Sequence, residues 1–317
     1  MLDINRILFP TDFSAVAEDA FSHAAHLAMR YDAEVYVFNV VTPQEAHEMN
    51  PMEYLPLEEA DGRPGMFYMP AEDVDVKTPA DEQGRVRVTY GQIESVSPAH
   101  AIIEQAKEDE VDLIVMGTHG RRGFDRLLSG SVSEEVVREA PCPVFTVLAG
   151  DEPTPGPYVD HVLAPVDLSE QSTIVADHAA ELAATYDARL TLMHVVEQAA
   201  YPTVYGVDPL TPELPNVEAR AREALDELAE RVQPRVLDVE TVTTTGYAAR
   251  DIVDYVDEND VGLIVMATHG RTGLKRFVIG SVAEKVVRTA PCPVFTLRSF
   301  GRNLLLEPAG EGADEAT

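Results

Sequence analysis

The chain has 317 residues, with 24 Lys and Arg against 55 Asp and Glu and a formal charge of −31. So acidic a protein offers no broad cationic face to a phosphate backbone, which excludes non-specific nucleic-acid binding. A hydrophobic fraction of 45% argues against wholesale disorder, and no apolar run approaches the ~18 residues needed to span a bilayer.

The first residues run straight into a short apolar strand, Arg6 to Pro10, with no signal-peptide pattern. Ala17, Ala20, Phe21, Ala24, Leu27 and Ala28 then recur at helical spacing. Val35 to Val41 reads as a second strand. Residues 42–84 are rich in Pro, Met and Glu and carry no apolar stripe, so an irregular insertion with at most a short helix is expected there. A strand from Arg85 to Tyr90, a helix from Ala99 to Lys107 and an apolar strand from Leu113 to Met116 follow. A helix from Ser131 to Glu139 and a strand from Val144 to Leu148 complete this half. Strands alternating with helices, the strands rich in Val and Ile, predict a parallel sheet covered on both faces.

The whole series then repeats. Ile7-Leu-Phe-Pro-Thr-Asp-Phe-Ser14 returns as Val162-Leu-Ala-Pro-Val-Asp-Leu-Ser169, an offset of 155. Asp112-Leu-Ile-Val-Met-Gly-Thr-His-Gly120 returns as Gly262-Leu-Ile-Val-Met-Ala-Thr-His-Gly270, an offset of 150, which places five extra residues of the first half near Gln92 to Ser97. The predicted organisation is a first domain at 1–149, a Pro- and acid-rich linker at 150–157, a second domain at 158–300 and an acidic mobile tail at 301–317. Within the tail, Leu304, Leu305 and Leu306 are the residues able to dock. The second half also carries a clean amphipathic helix, with Ala221, Leu225, Leu228, Ala229 and Val232 on one face. The two cysteines, Cys142 and Cys292, sit in the same Ala-Pro-Cys-Pro-Val context and read as small buried hydrophobes rather than metal ligands. His23 and His178 fall within the first helix of each half and read as surface or capping residues.

The densest chemistry follows the fourth strand of the parallel series in each half. Gly117-Thr-His-Gly120 is followed by nine residues and Gly130-Ser131; Ala267-Thr-His-Gly270 is followed by nine residues and Gly280-Ser281. Glycine lets backbone approach a ligand closely. A helix beginning at Ser131 or Ser281 offers free N–H groups to a phosphate. Ser131-x-x-Glu134 and Ser281-x-x-Glu284 read as capping boxes. From Gly117 to Arg138 there are four cations against three anions; from Ala267 to Arg288 there are five against one. In so acidic a chain both windows stand out. His119 and His269 have no second titratable residue recurring beside them and read as structural members of the loop.

Here the chain resembles the universal stress proteins. The opening Pro-x-Asp-x-Ser (Pro10, Asp12, Ser14; Pro165, Asp167, Ser169), the G-x-x-G-x9-G-S loops and the closing Pro-Cys-Pro-Val all carry that likeness. The resemblance implies two Rossmann-like α/β domains, each a five-stranded parallel sheet with helices on both faces. It implies ATP or a related adenine nucleotide, carried with Mg, as ligand. Asp12 and Asp167 would lie near the adenosine; Val40 and Val195 would meet the adenine through backbone. Gly117, Gly120, Gly130, Ser131 and Val132, and in the second half Gly270, Gly280, Ser281 and Val282, would line the ribose and phosphates. Ala267 stands where the pattern has glycine, and a left-handed backbone there would cost about 1–2 kcal/mol. For Asp12 and Asp167 a purely structural role at the helix start is the competing reading. The likeness also implies an intrachain pseudo-dimer made through the two final strands, with a homodimer of whole chains left open.

The function these features predict is a stress-response or regulatory protein that binds nucleotide. A slow ATPase or nucleotidyl-transfer enzyme is the alternative, although the sequence holds no complete catalytic constellation and no Walker lysine. A nucleotide-independent interaction protein is the second alternative, and the retained glycine loops argue against it. The acidity, spread over both halves, predicts a cytoplasm of high ionic strength, as in halophilic organisms.

Overall fold

The structure is a computed structural model and describes residues 1–48, 66–70, 85–118, 131–148, 157–197, 217–268, 279–298 and 303–305. The first half contains β1 (Arg6–Pro10), α1 (Ala15–Tyr31), β2 (Glu34–Val41), α2 (Pro43–Glu48), β3 (Met66–Pro70), β4 (Arg85–Glu94), α3 (Pro98–Glu108), β5 (Leu113–Gly117), α4 (Ser131–Glu139) and β6 (Val144–Val147). The second contains β7 (His161–Pro165), α5 (Gln171–Tyr186), β8 (Arg189–Glu197), α6 (Val217–Val232), β9 (Val239–Gly246), α7 (Ala248–Glu258), β10 (Leu263–Ala267), α8 (Ser281–Thr289) and β11 (Val294–Leu297).

All of these strands form one sheet of eleven, in the order β3-β4-β2-β1-β5-β6-β11-β10-β7-β8-β9. Each half supplies five parallel strands. The sixth strand of the first half, β3, lies antiparallel to β4 and corrects the expectation of at most a short helix between 42 and 84. Its segment, Met-Phe-Tyr-Met-Pro, has no alternating pattern to announce a strand. The pairing registers also move the extra residues. Val35 pairs with Val88, and its repeat mate Leu190 with Val239, so the offset has already fallen from 155 to 151 at β4. Four of the five extra residues therefore precede β4, and only one lies between β4 and the helix that follows.

The helices lie on both faces because the inner strands β1, β5, β7 and β10 bury side chains on both sides. Leu27 of α1, Leu182 of α5 and Leu225 of α6 belong to one core layer; Ile102 of α3, Val136 of α4, Val256 of α7 and Val286 of α8 belong to the other. Both layers run unbroken from one half into the other. Helices α1 and α5 end alike, on Asp32 (φ 54°) and Asp187 (φ 61°), each in the left-handed conformation with its N–H returned to the helix. Aspartate tolerates that conformation better than most residues. Cys142 and Cys292 are buried thiols outside any disulfide, and burial pushes the Cys292 thiol up to about 12.

The halves join where β6 and β11 pair antiparallel, Phe145 opposite Phe295. Thr146 Oγ1 donates to the Val294 carbonyl at 3.2 Å, and Thr296 Oγ1 to the Val144 carbonyl at 3.1 Å, so the seam is reciprocal. Beside it, α1 meets the end of α5. The His26 ring stacks on Tyr186 with centroids 4.6 Å apart, His23 Nδ1 lies 3.1 Å from the Tyr186 hydroxyl, and the Tyr31 and Thr185 hydroxyls are 2.6 Å apart. His23 and His178 are therefore not surface residues: they are 7% and 0% exposed. The helix side that a lone domain would leave to water is here covered by the other half. His178 Nδ1 donates one turn back to the Ile174 carbonyl.

Two further ties hold the second half. Arg231 and Arg235 both bond Asp177, fixing α6 against α5. Burial pushes the Asp177 carboxyl up, but the hydrogen bonds and charges of the two guanidinium groups outweigh it and leave it below the usual range. After β11, Leu304 is fully buried and Leu305 bridges to Leu2, so this part of the expected tail docks on the first strand's approach. The rest of the tail lies outside the described residues.

Candidate functional site

An open parallel sheet binds ligands beyond the carboxyl ends of its strands, where the strand order changes direction. In the first half that point lies between β1 and β5; in the second, between β7 and β10. Asp12 follows β1, Val40 lies at the end of β2, Gly117 closes β5, and Ser131 and Val132 open α4. The topology thus brings these residues to one end of three adjacent strands. Asp167, Val195, Gly280, Ser281 and Val282 occupy the corresponding places in the second half. Gly120, Gly130 and Gly270, with His119 and His269, lie outside the described residues. Because β6 and β11 run antiparallel, the two candidate sites sit at opposite ends of the shared sheet.

The aspartate turn is built the same way twice. Asp12 Oδ1 accepts from the Ser14 N–H at 3.1 Å; Asp167 Oδ1 accepts from the Ser169 N–H at 3.0 Å and from Ser172 Oγ at 3.2 Å. Both acids therefore do satisfy donors at a helix start. Between aspartate and serine the chain turns left-handed at Phe13 (φ 57°) and Leu168 (φ 60°). For side chains of that size this conformation costs about 1–2 kcal/mol, and strained backbone persists only where its surroundings over-determine it. Two side chains absent from the sequence-derived set lie next to the turns: Asn39 Nδ2 donates to the Thr11 carbonyl, and His194 Nδ1 bonds the Val166 carbonyl, each at 2.8 Å. The available signal was a polar residue inside an apolar strand, at the same repeat position in both halves.

The helix start differs from expectation. The N-cap of α8 is Gly280, with no side-chain cap bond, and Ser281 is already helical and exposed. The predicted capping box is thus not formed at Ser281: the serine stands one position too far into the helix. Ser131 likewise is the exposed first residue of α4. A first turn without a capping side chain keeps N–H groups available to an anion. Gly280 has a packing reason of its own, since its N–H donates to the Thr268 carbonyl at 2.7 Å and a Cβ there would lie 3.2 Å from that oxygen. Ala267 is an ordinary strand residue paired with Leu297 and is not among the left-handed positions, so its departure from glycine strains nothing. Val132 and Val282 pack partly against the core layer beneath. Among the described residues, no group of three or more His, Cys, Asp or Glu is arranged to hold a metal ion. Nor is any described helix long and apolar enough to cross a membrane.

The sequence model of the universal stress protein family matches this chain twice, over residues 3–147 and 159–298. The chain belongs to that family. A universal stress protein of Methanocaldococcus jannaschii is 38% identical over 151 residues, covering 45% of this chain and 81% of that protein. One from Mycolicibacterium smegmatis is 26% identical over 293 residues, covering 92% of this chain and 96% of its own, so the tandem arrangement has a relative of the same extent. The crystal structure of a universal stress protein from Archaeoglobus fulgidus shares the fold, with a TM-score of 0.58 at 20% identity over 93% of this chain and 96% of that one. The family match spans both candidate sites.

Proposed function

We propose that each half of this tandem universal stress protein binds ATP or a related adenine nucleotide, in a stress-response or regulatory role. One observation carries this: at the strand-order switch of each half, an aspartate turn, the end of the neighbouring strand and an exposed helix start converge. The chemistry suits a nucleotide. Asp12 and Asp167 offer carboxylates toward ribose hydroxyls, the backbone at Val40 and Val195 pairs with the base, and the first turns of α4 and α8 receive phosphate. The glycines at 117, 120, 130, 270 and 280 let backbone close on the ligand. Mg enters with the nucleotide, held mainly by its phosphates. The domains proposed are 1–149 and 158–300, joined by 150–157, and the setting is a salt-rich cytoplasm.

Titration of ATP by calorimetry in about 2 M KCl, a salt level at which surface repulsion is largely screened, tests the proposal. The whole chain should take up two nucleotides. Ser131→Glu and Ser281→Glu should each remove one, because a carboxylate in the first turn suits the helix dipole but repels phosphate. A chain that binds no ATP, or a double variant that binds like the wild type, overturns it.

A further inference from the structure

Asn39 and His194 occupy one position in the repeat. Asn39 is in register with Gln92 and precedes Val40; His194 is in register with Thr243 and precedes Val195. At that level the inner strand has reached its last ladder bonds, from Thr11 N–H to the Phe38 carbonyl at 3.0 Å and from Val166 N–H to the Met193 carbonyl at 2.8 Å. The next main-chain acceptors, the carbonyls of Thr11 and Val166, are met by side chains instead. Asn39 Nδ2 supplies one bond and His194 Nδ1 the other, both at 2.8 Å. A carbonyl accepts only, so Nδ1 of His194 must carry the hydrogen. An amide and an imidazole differ in shape and in the spacing of their polar atoms, yet both end on the same atom of the repeat. That atom belongs to the residue immediately before Asp12 or Asp167, and the left-handed residue follows the aspartate.

We infer that Asn39 and His194 are positioning residues: each pins the carbonyl ahead of the site aspartate and so holds the strained turn that presents Asp12 or Asp167. Their role toward ligand rests on the nucleotide reading; their role toward the turn does not. The two anchors are unequal. Gln92 Nε2 donates to Asn39 Oδ1 at 2.7 Å, which fixes the amide with its nitrogen toward Thr11. In the second half Thr243 stands in the place of Gln92, and its buried hydroxyl has no hydrogen-bond partner among the described residues. The first anchor is therefore a two-bond relay, while the second depends on the imidazole.

The test compares Asn39→Ala, Asn39→His, His194→Ala, His194→Asn and Gln92→Ala in the full chain. It reads amide exchange at Ser14 and Ser169 without ligand, and ATP affinity by calorimetry. Loss of one hydrogen bond predicts about fivefold to tenfold faster exchange at the affected serine, and a similar loss of affinity at that site, in the alanine variants. The swaps, Asn39→His and His194→Asn, should stay within about twofold of wild type, because either side chain reaches the carbonyl. Gln92→Ala should loosen Ser14 and leave Ser169 unchanged, and it keeps the inference testable if an alanine at buried Asn39 fails to fold. Alanine variants that match wild type in exchange, or an asparagine at 194 that behaves as alanine does, overturn the inference. Exchange that responds as expected in a chain that binds no ATP supports the anchor and sinks the nucleotide reading alone.

Discussion

Phe145 and Phe295 face each other in register across the antiparallel β6–β11 seam, edge to face, with ring centroids 6.1 Å apart and planes at 81°. Each is wholly buried, and each is the repeat mate of the other, so the contact marks the pseudo-twofold axis. The edges of two half-sheets close on each other here, which removes the unpaired strand edge each half would otherwise present.

Phe145→Ala is accordingly expected to destabilise the chain by about 3–5 kcal/mol, the usual cost of truncating a buried aromatic. Phe295→Ala should cost the same. The double variant should cost less than the two together, since each ring packs on the other. Denaturant unfolding in high salt checks this. Strict additivity of the two losses contradicts a shared axial contact.

Acid should weaken the same interface. Burial, with the charge of His26 second, lowers His23 to about 3; burial and nearby Arg30 lower His26 to about 4, against a partly opposing bond to the Thr185 carbonyl. Both folded values lie below the ordinary 6.5, so over that interval the unfolded chain binds protons that the folded chain refuses. Their contribution is fully present above about pH 6.5 and is lost as pH falls toward the folded values, with a slope of up to about 1.4 kcal/mol per pH unit from each ring. Stability of wild type and of His23→Gln/His26→Gln, compared at pH 7 and pH 5, reads it out. An equal drop in both proteins removes the histidines as the cause.

The parallel core strands and their helices were legible because their signal is periodic and repeated. Arg6 to Pro10 and Ser131 to Glu139 agree with the structure residue for residue. What was not legible depends on a partner from elsewhere in the chain. His23 looks like a surface residue until Tyr186 of the other half covers it, and His178 is buried at the matching position of α5. β3 acquires its identity from β4 rather than from its own pattern. At the site, the aspartate turn and the helix start are local and could be read. The bonds from Asn39 and His194 join a strand to a loop 28 residues away and could not. Ser281 shows a finer failure, since a capping motif read one position out of phase looks complete in sequence.

Folding should depend on salt. A charge of −31 spread over both halves opposes compaction. The screening length falls from about 10 Å at 0.1 M salt to about 3 Å at 1 M. Thermal midpoints followed by circular dichroism should rise substantially between about 0.1 M and 2 M KCl. Equal midpoints at the two concentrations defeat this expectation.

The two sites should differ in affinity, with the second the tighter. Its window from Ala267 to Arg288 holds five cations and one anion, against four and three from Gly117 to Arg138. Nearby cations favour a polyphosphate. The second half also has α6 bound to α5 through Asp177, Arg231 and Arg235, which stiffens the scaffold behind β8 and β9. The objection from Ala267 falls away, since that residue is unstrained in β10. Against the ordering stands the Gln92–Asn39 relay, which braces the first aspartate turn more firmly than His194 alone braces the second. One neutral hydrogen bond contributes about 1 kcal/mol, less than several added charges at moderate ionic strength, so the charge difference should decide. It should also fade with salt, and the gap between the sites should narrow between about 0.5 M and 3 M KCl as screening grows. Calorimetry on Ser131→Glu and Ser281→Glu assigns the binding events. If the tighter event survives in Ser281→Glu and disappears in Ser131→Glu, the order is reversed and the relay outweighs the charges.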